Sequence, residues 1–216
     1  MFLRTFSLSL VAVLLSSCGS DIDVVSKDRA LSSGASAARY STVGGHYRTE
    51  LPSARAIASG NHKPKDKHGM PLYDNERVRH VRTTAYTCTE ADHIEYGSMN
   101  AAGTPLRYSN TVRSAAADWS VYPIGTTFRI KGMPQLFVVD DYGSALTGTG
   151  TIDIYTPSHK HMRAWGRRNV EINIVRWGSY ARSAELLSGR TRHAHCREMY
   201  ANIVRKVNRG QATVMR

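Results

Sequence analysis

Val138-Val139-Asp140-Asp141-Tyr142-Gly143-Ser144-Ala145-Leu146-Thr147-Gly148, followed closely by Thr151-Ile152-Asp153-Ile154-Tyr155, is the stretch that decides how this chain folds. An apolar run ending in two acids and then a glycine reads as a strand entering a turn. Gln135 to Asp140 is too apolar to be a half-exposed strand. Working outward, Thr126 to Lys131 alternates and is cut by Gly132, and Arg82 to Thr87 is β-prone. Asn169 to Trp177 alternates most clearly, with Val170, Ile172 and Ile174 on one face. Between these runs Ser158 to Trp165 predicts a short helix closed by Gly166. Many short strands, glycine turns and one small helix predict a mainly β protein built on a small β-barrel. After Gly178 the pattern turns helical, over Tyr180–Leu187 and Ala194–Val207, where Met199, Ile203 and Val207 recur every four residues.

The chain has 216 residues, 41% hydrophobic and 21% charged, so it carries enough apolar sequence for a core and is not disordered throughout. Lys and Arg number 29 against 17 Asp and Glu, a net charge of +12 that calls for an anionic partner. The charge is unevenly placed. Residues 1–79 hold 11 basic and 7 acidic side chains, residues 80–178 hold 10 and 8, and residues 179–216 hold 8 and 2. The last segment, with Arg182, Arg190, Arg192, Arg197, Arg205, Lys206, Arg209 and Arg216, is therefore the basic module. It suits anionic wall polymer or lipid headgroups, or is a solvated helical tail.

Residues 1–17 read as an export signal, with Arg4 before the apolar stretch Leu8 to Leu15. That stretch is far shorter than the roughly 20 residues needed to span a bilayer. Leu15-Ser16-Ser17-Cys18-Gly19 resembles a bacterial lipobox, which implies lipidation of Cys18 and anchoring to a membrane, the alternative being an ordinary signal peptide. Lipoproteins with Gly after the Cys usually reach the outer membrane, so the resemblance places the chain in a bacterial cell envelope, facing the periplasm. Export argues against nucleic acid as the partner. It also makes a Cys88–Cys196 disulfide an expectation, against two separate buried thiols. No Cys or His spacing supports a metal site, and no cofactor is expected. Residues 18–79 show no sustained period and read as a flexible tether.

Three aspartates carry the candidate chemistry. Asp118 lies in Ala117-Asp118-Trp119-Ser120-Val121-Tyr122-Pro123-Ile124-Gly125, Asp141 follows the strand quoted first, and Asp153 sits inside an apolar stretch. Desolvation there would raise the Asp153 pKa, as a general acid requires. Asp140 competes with Asp141 for the same role. An aspartate beside a glycine is most often only a turn former.

The order of Thr84-Ala85-Tyr86-Thr87, Asn100-Ala101-Ala102-Gly103-Thr104-Pro105, Asp118 before Pro123-Ile124-Gly125-Thr126, Asp141-Tyr142-Gly143-Ser144-Ala145-Leu146, Ile152-Asp153-Ile154-Tyr155 and Ala164-Trp165-Gly166-Arg167-Arg168 resembles the three-aspartate (3D) domain over residues 82–177. That family is related to the barrel of membrane-bound lytic transglycosylase A and, more distantly, to rare-lipoprotein-A-like proteins. The resemblance implies a six-stranded double-psi β-barrel over residues 80–178, followed by the basic helical tail 179–216. It implies peptidoglycan glycan strands as substrate, cut between N-acetylmuramic acid and N-acetylglucosamine with 1,6-anhydro ring formation. Asp153 would be the single acid/base, Asp141 would stabilise the oxocarbenium-like charge, and Asp118 would complete the triad. Tyr86, Thr87, Gly143, Ser144 and Ala145 would line the sugar groove. Here Ser144 replaces the second glycine of the usual Asp-x-Gly-Gly, and Tyr142 is bulkier than the usual small residue. A non-catalytic wall-binding or structural lipoprotein is the alternative. Trp119 and Trp165 are candidates for stacking on sugars, with core packing the commoner use of Trp, and Arg167 and Arg168 are candidates for muropeptide carboxylates, a solvated helix end being the alternative.

Overall fold

The computed structural model describes residues 40–43, 47–90, 94 and 97–210, which belong to the unit Ala37–Arg216. The export signal and Cys18 lie outside the described residues. Strands β1 (Tyr40–Val43) and β2 (Tyr47–Glu50) pair antiparallel and lead to helix α1 (Ala54–Asn61). Six strands follow: β3 (Val78–Tyr86), β4 (Val112–Ala117), β5 (Thr127–Ile130), β6 (Leu136–Asp141), β7 (Ile152–Tyr155) and, after helix α2 (His159–Trp165), β8 (Arg168–Arg176). Helices α3 (Tyr180–Ser188) and α4 (Ala194–Asn208) end the described chain. Among the described residues no helix is long and apolar enough to cross a membrane.

The six strands close in the order β3-β7-β4-β6-β5-β8, so each has a partner on both sides and no barrel edge is left open. The pairs β3/β7 and β4/β6 are parallel and the other four antiparallel. Alternation sends Val81, Ala115, Ala117, Phe128, Ile130, Phe137, Val139, Ile152, Ile154, Val170, Ile172 and Ile174 into one buried cluster. Phe128 and Phe137 stack there at 5.4 Å. The barrel is thus a filled core, as its apolar alternating strands predict.

β4 is the element that the sequence hides. Val112-Arg113-Ser114-Ala115-Ala116-Ala117 has alanines that favour helix, yet it forms a strand between β6 and β7. Tertiary pairing overrides propensity here, because one neighbour on each side satisfies its backbone. In contrast, α2 is set locally: Ser158 accepts from the His161 amide, and Gly166, at φ 63°, ends the helix.

Two expectations are corrected. The tether assigned to residues 18–79 does not extend that far. Tyr47 is 1% exposed in the main core, Ser53 N–H donates to Glu171 at 2.7 Å, and Asp66 accepts from the amides of His68, Met70 and Gly150. Arg79 is fully buried among Tyr73, Tyr122 and Trp177. The contacts with Glu171, Gly150, Tyr122 and Trp177 are long-range and leave no 3.6- or 2-residue period to read. The segment after Gly178 is helical as expected, yet it is no separate tail: Leu187, Cys196, Met199 and Ile203 lie in the barrel's own core cluster. Gly178 makes the junction, since a Cβ there would collide with the carbonyl oxygens of Ile124 and Pro123.

The expected Cys88–Cys196 disulfide is not formed, and both are free thiols. Cys196 is buried in α4, whereas Cys88 follows β3 and receives the Tyr155 hydroxyl at 3.7 Å. Packing, not a covalent staple, holds the C-terminal helices. Met199→Ala is therefore expected to cost about 2–5 kcal/mol of stability by urea unfolding. A loss below about 0.5 kcal/mol, the level of an ordinary surface substitution, would contradict the docking of α4.

Candidate active site

A single register row carries the candidate chemistry. Thr84 on β3 is aligned with Asp153 on β7, Asp153 with Ala116 on β4, and Ala116 with Asp141 on β6. Their chain neighbours Ile152, Ile154, Ala115 and Ala117 fill the barrel, so the row faces outward. Strand spacing puts the Cα atoms of the two aspartates about 10 Å apart, on either side of Ala116, which is itself covered by Tyr86, Tyr155 and Leu146.

Asp141 reaches this row through a β-bulge. Ala115 pairs with Val139 but Ala116 pairs with Asp141, leaving Asp140 as the extra residue. The bulge brings two consecutive carboxyls to the same side of the strand, where strict alternation would hide one in the core. The Asp140–Asp141 ambiguity of the sequence is thus resolved by placement. Asp141 Oδ1 accepts from the amides of Ala101 (3.1 Å) and Tyr142 (2.9 Å), and Oδ2 accepts from the Tyr86 hydroxyl (3.0 Å). Asp140 Oδ2 accepts from Ser114 Oγ at 2.7 Å, while its Oδ1 is buried with no hydrogen-bond partner. Burial first, and then the Asp141 charge, push the Asp140 carboxyl up to about 6, against the opposing Ser114 bond and Arg107 charge. Tyr86 is held far above its ordinary value by burial and by the charges of Asp141, Asp140 and Asp153, so its hydroxyl remains a neutral donor.

Asp153 differs from expectation in its surroundings. It is half-buried rather than sealed, because the isoleucines flanking it point inward while it points outward. Thr84 Oγ1 donates to its Oδ1 at 2.7 Å. Asp118 is 0% exposed and turned away from solvent. It accepts from Ser120 N–H (2.7 Å), Ser120 Oγ (2.6 Å) and Gly148 N–H (2.7 Å). Burial raises its pKa, opposed by these bonds and by the charge of Lys206. Asp118 therefore pins the far end of the loop that starts at Asp141.

Of the groove candidates, Gly143 is half-buried and Ser144 and Ala145 are exposed, in a 3-10 turn over Ser144–Leu146. Tyr86 binds Asp141, and the Tyr86 ring packs 5.5 Å from Tyr155. Thr87, one residue past the end of β3, is 0% exposed and lines no groove. Trp119 and Trp165 are sealed in the core and present no face to a sugar. Trp119 instead donates to the Asp141 carbonyl at 2.9 Å. The Arg168 guanidinium is taken up by the Trp165, Ala164 and Tyr47 carbonyls, while Arg167 is exposed. Thr84, Ser114 and the Ala101 amide are site groups that sequence reasoning assigned no role. The paired acids of Asp140-Asp141 at a strand end were the available signal for the bulge. Among the described residues no group of three His, Cys, Asp or Glu side chains is arranged to hold a metal ion.

Residues 113–176 match the family model of the 3D domain, and the chain carries a 3D domain on this barrel. The match starts in β4 and ends with β8, so β3 and the C-terminal helices lie outside it. Among solved structures the chain is similar to MltA from Escherichia coli, described as having a unique lytic transglycosylase fold. The identity is 25%, over 37% of this chain and 28% of MltA, with a TM-score of 0.30, so the chain spans less than a third of MltA's length. No curated protein matches the chain.

The Asp140 environment fixes a pH dependence. A carboxyl whose folded-state pKa lies above its unfolded value favours folding at low pH, and that contribution is lost as pH rises towards about 6. Asp140→Asn keeps an acceptor for Ser114 and removes the ionisation. Its stability relative to the parent is expected to be near zero at pH 4 and to rise to at most about 3 kcal/mol above pH 6.5. Urea unfolding at both pH values checks this, and a pH-independent difference would contradict it.

Proposed function

We propose that the chain is a peptidoglycan lytic transglycosylase. The observation that supports this reading is the row Thr84–Asp153–Ala116–Asp141 on the outer side of the barrel wall, in which a half-buried carboxyl and a buried, tightly oriented one flank Ala116. The 3D domain points to the same class of chemistry. In this reading Asp153 is the acid/base. It gives its proton to the glycosidic oxygen leaving muramic acid C1. The resulting carboxylate then takes the proton of the C6 hydroxyl, whose oxygen closes on C1 to form the 1,6-anhydro ring. Asp153 regains its proton and no water is consumed, so one acid/base carboxyl suffices, unlike the two of a hydrolase. Asp141, oriented by Ala101, Tyr142 and Tyr86, stabilises the positive charge developing at C1. Gly143, Ser144 and Ala145 border the strand-binding face.

We further place the enzyme in the bacterial envelope, lipid-anchored through Cys18 and facing the peptidoglycan from the outer membrane. One observation favours a second reading, a wall-binding lipoprotein without turnover: Asp153 is half-buried rather than sealed in apolar surroundings.

Digestion of purified sacculi with the mature chain, followed by mass spectrometry, is expected to release 1,6-anhydromuropeptides. Asp153→Asn is expected to lower the rate by roughly 10²–10⁴-fold. Products with a reducing muramic acid would make the protein a hydrolase, and retention on sacculi without release would favour the binding reading. Labelled palmitate is expected to enter the parent but not Cys18→Ala.

A further inference from the structure

We propose that Arg190, in the turn between α3 and α4, is a positioning residue for the Asp141 carboxylate. This rests on the reading of Asp141 as a member of the active site. Two amides hold Asp141 Oδ1, those of Ala101 and Tyr142. A single nitrogen of Arg190 reaches both of these residues: Nη1 donates to the Ala101 carbonyl at 2.9 Å and to the Tyr142 hydroxyl at 3.3 Å. The guanidinium carbon also lies 5.8 Å from the centre of the Tyr142 ring.

The peptide bond that Arg190 grips is doubly fixed. Its carbonyl, from Ala101, faces the guanidinium, and its N–H, from Ala102, donates to the Asp140 carbonyl at 3.1 Å. The Ala101 amide that meets Asp141 belongs to the preceding peptide, so its direction follows from this grip. The Ala101 segment has only a local turn of its own, closed by Asn100 onto Thr104. Arg190 docks that turn against the barrel.

Tyr142 is held from the other sides as well. It meets Trp119 edge-on at 4.9 Å and His195 of α4 at 5.6 Å. The bulky residue that departs from the usual 3D-domain pattern thus points to the C-terminal helices, where its hydroxyl receives Arg190. Arg190 lies outside the matched residues 113–176, so the device is a feature of this chain beyond the shared domain.

The test uses the mature full chain with Arg190→Ala, Arg190→Lys and Tyr142→Phe. Amide hydrogen exchange at Ala101 and Tyr142 is read by NMR, with amides of β8 as the internal reference. Arg190→Ala is expected to speed exchange at both positions by at least about tenfold while β8 stays protected. On sacculi, kcat is expected to fall about 10–100-fold with KM within about twofold, because misplacement acts on the reacting geometry. Arg190→Lys should recover part of both effects, since an ammonium can still donate to the Ala101 carbonyl. Tyr142→Phe should reproduce a smaller version of both. Unchanged exchange at Ala101 and Tyr142 in Arg190→Ala would overturn the proposal. If that variant loses protection throughout β8, Arg190→Lys and Tyr142→Phe decide, and local protection equal to the parent in both would overturn it. A parent chain that releases nothing from sacculi would remove the proposed function, while the exchange results would still decide whether Arg190 positions Asp141.

Discussion

The bulge where β6 passes Ala115 and Ala116 is the constraint on which the candidate site depends. Up to Val139 the strand alternates in step with β4 and fills the barrel. One inserted residue, Asp140, then shifts the phase, and Asp141 comes level with Ala116 on the outer face. Without the insertion Asp141 would point into a cluster made of Phe, Ile, Val and Trp, where an unpaired carboxyl is costly. The closed barrel supplies the rigidity that makes such a shift specific, because β4 and β6 each have a second partner.

Crowding acidic groups at one place has an electrostatic consequence, and the site handles it by dividing the labour. Asp140 is pushed towards its neutral form by burial and by its neighbour. Asp141 receives three donors. Asp118, one residue past the end of β4, lies in a buried knot with Ser120, Gly148 and the nearby Lys206, which itself donates to the Ser120 carbonyl at 2.7 Å. The three aspartates are therefore not equivalent: Asp153 is half-buried, Asp141 is buried on the outer side of the barrel wall, and Asp118 holds the loop between them in shape.

The basic C-terminal segment changes meaning in the fold. Several of its charges are engaged with backbone carbonyls: Arg190 with Ala101, Arg197 with Thr191 and Lys206 with Ser120. Arg168 and Arg79 behave likewise in the barrel. Net charge announces an anionic partner, but it cannot tell a solvated cation from one that closes a loop. That distinction depends on which carbonyls end up near it in space.

Alternation and glycine placement made β5, β6, β8 and the three C-terminal helices legible to within a residue or so, since their signals are local: apolar period, Ser158 as cap, Gly166 as stop. The order of motifs also pointed to the 3D domain, whose family model residues 113–176 match. The sequence by itself thus determined a closed mainly β barrel and the identity of its acidic side chains, because side-chain period and turn chemistry are properties of neighbouring residues. Only the tertiary structure decided that alanine-rich β4 is a strand, that residues 47–79 are folded, that Asp153 is half open and Asp118 sealed, and that Arg190 stands behind Asp141. Each of these depends on contacts between segments far apart in the chain, and such contacts have no local period to betray them.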